Sequence, residues 1–301
     1  MATTKLSFVP GFEPWRLAFE QRLARVLREG ADGPGRVGQA VRYAALSPGK
    51  RVRPLFVLAT CEAVGGPWKR ALPAAVAVEC VHAFSLVHDD LPSMDDDDYR
   101  RGRLTTHKKF GEALGVLAGD ALLAFAFEEA ARLVDDGVPA ARVVEAVARL
   151  ARAAGAGELV GGQALDIGAE GRKPTARLVR DIHERKTGAL FGASMALGAL
   201  AGDADTRTVE ALDEAGRMLG FAFQIQDDLL NAGATSLRTL GKRPGTDAAR
   251  GKATYPAAVG EVRARREVAT ILRTVRGVLT RRCARPERLF KLVDALAKRE
   301  R

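Results

Sequence analysis

Ser85-Leu86-Val87-His88-Asp89-Asp90-Leu91-Pro92-Ser93-Met94-Asp95-Asp96-Asp97-Asp98-Tyr99-Arg100-Arg101-Gly102-Arg103 sets six carboxylates directly before three arginines. An apolar run from Leu72 through Val87 leads into it, so the chain carries a buried segment to a point where acid and base are concentrated together. Solvated charges usually mix signs along a polar helix face, whereas these terminate a segment too apolar to be exposed. Carboxylate oxygens suit hard cations such as Mg2+, whose shell is often completed by water and substrate phosphates. A calcium-binding hand needs alternating ligands, a central Gly and a late Glu, and Asp95 to Asp98 followed by Tyr99-Arg100-Arg101 lacks that order. Adjacent arginines would repel a bare metal ion and welcome phosphate oxygens. The combination points to a site for a metal-bound polyphosphate.

The rest of the composition bounds the setting of that site. Ala and Leu are abundant, aromatics make up 6% and β-branched alternation is rare, so the chain reads as nearly all helix. A length of 301 residues permits two domains or one large core. The net charge of +10 would suit nucleic acid, an anionic membrane or an acidic small substrate. Aromatics are not interleaved with the basic residues as a base-stacking platform needs, which favours a phosphorylated small molecule and no nucleic acid. Cys61, Cys80 and Cys283 are widely spaced, mostly in apolar context and without zinc spacing, as expected of reduced thiols. Met1 to Phe12 lacks a secretory pattern and no uninterrupted apolar stretch approaches membrane-spanning length, so a soluble cytoplasmic protein without stable membrane insertion is expected.

Helical spacing predicts helices over Pro14 to Glu29, Val37 to Leu46, Pro54 to Val64, Leu72 to His88, Gly111 to Val134, Val138 to Ala154, Leu178 to Leu200, Val209 to Asn231, and a basic amphipathic tail from Val262 to Arg301. Lys50-Arg51-Val52-Arg53-Pro54 puts three cations at a helix start, where an external anion would relieve them; an exposed basic turn is the alternative. His82 lies seven residues before Asp89, two turns along one face, and is either a core histidine or part of the acidic site. Gly161 to Asp166 and His183 to Gly188 place polar groups in apolar context, and Leu190 to Gly202 is small enough to pack a partner subunit or another helix of this chain.

A second acidic centre is Phe223-Gln224-Ile225-Gln226-Asp227-Asp228-Leu229-Leu230-Asn231, in which Asp227 and Asn231 share a face and Gln224 sits a turn earlier. Two such centres can hold one metal cluster only if both helices line one cavity, which argues for a single domain over residues 1–301. Gly241 to Asp247 and Gly251 to Pro256 form a glycine-rich basic loop, not a P-loop, because Pro244 and Pro256 interrupt it. Its Lys242 and Lys252 could close over a phosphate.

These motifs together resemble the trans-isoprenyl diphosphate synthases (polyprenyl synthetases), most closely the bacterial farnesyl diphosphate synthase branch, over nearly the whole chain. The match rests on Gly49 to Pro54, Asp89 to Asp95, Arg100-Arg101-Gly102, Gly162-Gln163, Lys186-Thr187-Gly188, Gln226-Asp227-Asp228 and Gly241-Lys242. The resemblance implies an all-α bundle around a deep central cavity, usually a homodimer, in which three Mg2+ bridge the acidic motifs through an allylic diphosphate. By that resemblance Asp89, Asp90, Asp95 and Asp227 become metal ligands or their close neighbours. Lys50, Arg53, His82 and Arg101 would hold isopentenyl diphosphate, and Arg100, Lys186 and Lys242 the allylic diphosphate. Thr187 and Gln224 would face the developing cation, and Phe84 and Ser85 would set product length. Farnesyl diphosphate is the expected product, geranylgeranyl diphosphate the runner-up, and a catalytically silent partner subunit a third reading. A terpene cyclase needs no second diphosphate pocket, so Lys50, Arg53 and His82 argue against it. The second motif departs from the family in ending on Asn231 rather than Asp, and an amide is a weaker metal partner than a carboxylate.

Overall fold

The structure, a computed structural model, describes residues 9–30, 33–171, 175–232 and 254–297. Helices dominate: α1 (Glu13–Glu29), α2 (Val37–Ala45), α3 (Val52–Ala63), α4 (Leu72–Asp89), α5 (Thr106–Phe110), α6 (Glu112–Ala131), α7 (Ala140–Ala154), α8 (Leu159–Ala169), α9 (Ala176–His183), α10 (Ala189–Ala201), α11 (Thr206–Ala232), α12 (Tyr255–Val259), α13 (Glu261–Arg282) and α14 (Glu287–Ala297). Pro14 and Pro73 open α1 and α4, where a missing N–H has no intrahelical partner to lose. Thr175 caps α9 by accepting the Leu178 N–H, and Asp205 accepts that of Thr208 at the start of α11.

The apolar faces of these helices meet in one cluster of buried side chains. α4 packs on α3, α6 and α10, while α10 packs on α3, α7 and α11. Every residue of α10 is buried. The small-residue segment from Leu190 therefore serves packing within the chain. Glycine makes that possible at Gly216, where a Cβ would lie 2.5 Å from the Phe191 carbonyl oxygen.

Several expectations are revised. The run Trp68–Asp89 is, by length and composition, apolar enough to cross a membrane, contrary to the sequence reading. Some 72% of that window is buried inside the fold, so its apolarity on all sides is accounted for by neighbouring helices. The stretch expected as one helix from Leu178 is α9, a π-helical turn (Glu184–Gly188) and α10. The tail is two helices, broken between Arg282 and Glu287, and Arg285 N–H bonds back to the Ala63 carbonyl at 2.9 Å.

A small antiparallel hairpin, β1 (Tyr99–Arg100) and β2 (Arg103–Leu104), pairs Tyr99 with Leu104 and Arg100 with Arg103. Its two turn residues, Arg101 and Gly102, both have positive φ, as the tight turn that matches strand twist requires. Arg101 Nη1 donates to the Pro48 carbonyl at 2.8 Å, tying this turn to the one before α3.

Candidate active site

α4 and α11 bring the two acidic centres together. Asp89 is the last residue of α4, and the chain then folds back on itself: Asp95 N–H donates to the Asp89 carbonyl at 2.8 Å and Asp96 N–H to that of Leu91 at 3.0 Å. Asp89 and Asp95 line a cavity of about 220 Å3 with Asp166, Lys186, Asp227, Asp228 and Asn231. The requirement that both helices face one cavity is thus met.

Asp90 goes elsewhere. One residue along a helix is a rotation of about 100°, and its carboxylate turns into a separate cavity of about 40 Å3. There Oδ1 accepts from Arg100 Nε at 2.7 Å and Nη2 at 2.6 Å. Burial pushes the Asp90 carboxyl up to about 6, and the Arg100 guanidinium pulls against it. Asp90 holds Arg100, and Arg100 lines the acidic cavity and its neighbour.

That neighbour, about 380 Å3, is lined by Arg53, His82, Ser85, Arg101 and Gln163. It shares Asp89, Arg100, Lys186, Thr187, Gln224 and Asp227 with the acidic cavity, so the two are compartments of one cleft. Burial, then Arg53, Arg101 and Arg100, hold His82 well below its usual range, so it stands neutral among cations. Lys50 is exposed at the turn before α3 and does not line either compartment.

Lys186 and Thr187 sit on the π-helical turn, which opens the backbone beside α8 and α11. Burial works to lower Lys186, yet Asp89, Asp166 and Asp95 together hold it above its ordinary value, and its Nζ is 2.9 Å from Asp166 Oδ2. Thr187 Oγ1 donates to Gln224 Oε1 at 3.1 Å, and Gln224 Nε2 to Asp228 Oδ1 at 3.3 Å. Asp228 Oδ2 accepts the Tyr255 N–H at 2.9 Å, pinning α12 to α11. His183, 3.6 Å from Asp228, is held down to about 3 by burial.

Asp166, Asp228 and His183 were not singled out from sequence as site residues. Asp166 was within reach of such a reading, since it lies one turn beyond Gln163 in a polar patch of apolar context. Phe84 is buried, its ring 5.0 Å from the His88 imidazole, with Ser85 on the cleft wall. Lys242 and Lys252 lie outside the described residues. Asp96, Asp98 and His107 also bring one potential metal-ligating atom each within 4.8 Å of one another, though Lys108 Nζ already sits 2.8 Å from Asp98.

Clustered carboxylates beside a compartment lined by guanidinium groups, inside a predominantly helical bundle, suit a polyanionic substrate carried with divalent cations. The profile of the polyprenyl synthetase family matches residues 35–292, and the chain belongs to that family. It is similar to farnesyl diphosphate synthase of Geobacillus stearothermophilus, 43% identical over 252 residues, 84% of each chain. It is also similar to geranylgeranyl pyrophosphate synthase 11, chloroplastic, of Arabidopsis thaliana, 46% identical over 243 residues, 80% of this chain and 68% of that one. Among solved structures, an apo FPP/GFPP synthase from Zymomonas mobilis has a TM-score of 0.83 at 32% identity, covering 95% of this chain and 98% of that one. A geranyltransferase from Helicobacter pylori, complexed with magnesium and isoprenyl diphosphate, has a TM-score of 0.81 at 27% identity over 99% of each. The chain is a chain-elongating trans-prenyltransferase.

Proposed function

We propose that this enzyme condenses isopentenyl diphosphate with dimethylallyl or geranyl diphosphate, head to tail, to give mainly farnesyl diphosphate. The observation that carries this reading is the double cleft: carboxylates of α4 and α11 face each other in one compartment, and a cationic compartment adjoins it. A donor set of carboxylate oxygens, Asp89, Asp95 and Asp227, fits Mg2+, and three ions per site is the proposed count. When bound, Mg2+ supplies positive charge that neutralises the leaving diphosphate.

Lys186 and Arg100 bind the allylic diphosphate, joined by Lys242 and Lys252. Arg53, Arg101 and His82 bind isopentenyl diphosphate, with Lys50 at the rim; neutral His82 offers one N–H donor without adding repulsion to the arginines. The allylic C–O bond breaks as these fixed cations stabilise the departing oxygen. Thr187 and Gln224 turn oxygen dipoles toward the allylic cation, the isopentenyl double bond attacks it, and the proton lost passes to the released pyrophosphate. No side-chain nucleophile is required.

Phe84 and Ser85 set the floor for the growing chain. A geranylgeranyl product is the second reading, favoured by the similarity to a geranylgeranyl pyrophosphate synthase. A homodimer is part of this reading, and a cytoplasmic location is supported by three free buried thiols.

The test is incubation of the protein with Mg2+, isopentenyl diphosphate and geranyl diphosphate, with products sized by chromatography. Fifteen-carbon product supports the reading, twenty-carbon product favours its alternative, and no product points to a silent partner subunit.

A further inference from the structure

Arg51 sits between Lys50 and Arg53 yet points away from the cleft. It adopts a left-handed backbone (φ 50°) and is buried. Its Nη1 is 2.6 Å from Glu79 Oε1, its Nε 2.8 Å from Glu20 Oε1, and its Nη2 donates to the Ala45 carbonyl at 3.2 Å. Glu79 is also buried, on α4, one turn before His82.

The pair therefore joins α3, which carries Arg53, to α4, which carries His82. It lines the small cavity behind the cationic compartment, and His82, Arg100 and Arg101 belong to both. Burial lowers the Arg101 guanidinium, Glu79 opposes that, and Arg51 and Arg100 add to it. Arg51, Arg53, Arg100 and Arg101 thus stand close together around His82, and behind them Asp90 is held by Arg100 while Glu79 is the buried carboxylate on Arg51; neither opens into the compartment. A buried ion pair is weak evidence of a stabilising role, because well-packed apolar groups of similar volume can often replace it without loss.

We propose that the Arg51–Glu79 pair is the positioning device of the isopentenyl diphosphate subsite. It holds the left-handed turn from which Arg53 enters the cleft, and it keeps Arg53 and Arg101 gathered before any diphosphate arrives. Preorganised cations do not have to be assembled by the ligand, so the pair acts on the affinity of that one subsite. This rests on the proposed reading of the cleft as a two-diphosphate site.

The test is the double variant Arg51→Met with Glu79→Leu, compared with the parent by thermal melting and by steady-state kinetics in each diphosphate separately. The expected result is a melting temperature close to the parent's, with KM for isopentenyl diphosphate raised about 10-fold (~1.4 kcal/mol) and KM for geranyl diphosphate within about 2-fold. A folded double variant with unchanged isopentenyl KM, or with both KM values raised alike, overturns the proposal. Should the double variant not fold, Arg51→Lys keeps the charge and loses the two-pronged grip. A rise in isopentenyl KM alone then supports the positioning role, and unchanged kinetics overturn it. A parent protein that turns over no isopentenyl diphosphate would instead sink the functional reading itself.

Discussion

Gly220→Ala tests how closely the catalytic turn leans on α11. A Cβ at position 220 would lie 2.6 Å from Gly188 Cα and 3.0 Å from the Thr187 carbonyl oxygen, and ordinary contact begins at 3.4 Å, a shortfall of 0.8 Å. Both contacts are backbone atoms, so no side chain can swing aside. Overpacking of this kind costs about 1–3 kcal/mol, and the gain in helix propensity over glycine returns about 1 kcal/mol. Net destabilisation of roughly 0–2 kcal/mol moves the melting temperature by only a few degrees in a chain this size. The functional effect is larger, because the π-helical turn must retreat from α11 by most of that shortfall. The Thr187 Oγ1 to Gln224 Oε1 bond, 3.1 Å here, would then open past hydrogen-bond range. Misplacing reacting groups by about 1 Å can cost on the order of 100-fold in rate. We expect kcat to fall by at least about 10-fold with modest loss of stability, measured by product formation alongside a thermal melt. Gly168→Ala, on α8 with nothing within 4 Å of its Cβ, is the control and should leave both unchanged or slightly raise stability. A Gly220→Ala protein with parental kcat and melting temperature would refute the close approach and the positioning role given to it.

Phe84→Ala should lengthen the product distribution while the protein stays folded; an unchanged chain length would leave Phe84 as packing around His88 only. Asn231→Asp adds a carboxylate to the acidic cavity one turn from Asp227 and should lower the Mg2+ concentration for half-maximal rate, so an unchanged or higher requirement counts against Asn231 facing the metal. His183 is neutral in the fold with its pKa held near 3 against 6.5 unfolded, so between those values the unfolded chain binds more protons. Its contribution is complete above pH 6.5 and lost as pH falls, by up to ~1.4 kcal/mol per unit, with Asp166 acting against the lowering. Urea melts at pH 7 and 5.5 should show a smaller acid loss for His183→Asn than for the parent, and equal losses would show that His183 accepts its proton in the fold.

Helix periods, proline starts and the two acidic centres are local properties, and they were legible without coordinates. α1 and α4 begin within a residue of the expected place because proline and an apolar stripe act over a single turn. Pairing across the fold is another matter. Nothing in the string Asp89-Asp90 tells which carboxylate faces Asp227 and which holds Arg100, because that depends on where α4 ends and how the chain turns back. Arg51 looked like one more cation of a basic cluster until its partner Glu79, on another helix, came within 2.6 Å. The run into Asp89 had an ambiguity of the same origin: apolarity on every side suits a lipid environment or a ring of helices equally, and only the packed neighbours α3, α6 and α10 distinguish them. Spacing along the chain sets which side chains share a face, whereas the charge balance at the centre of the bundle arises from contacts among segments far apart in sequence.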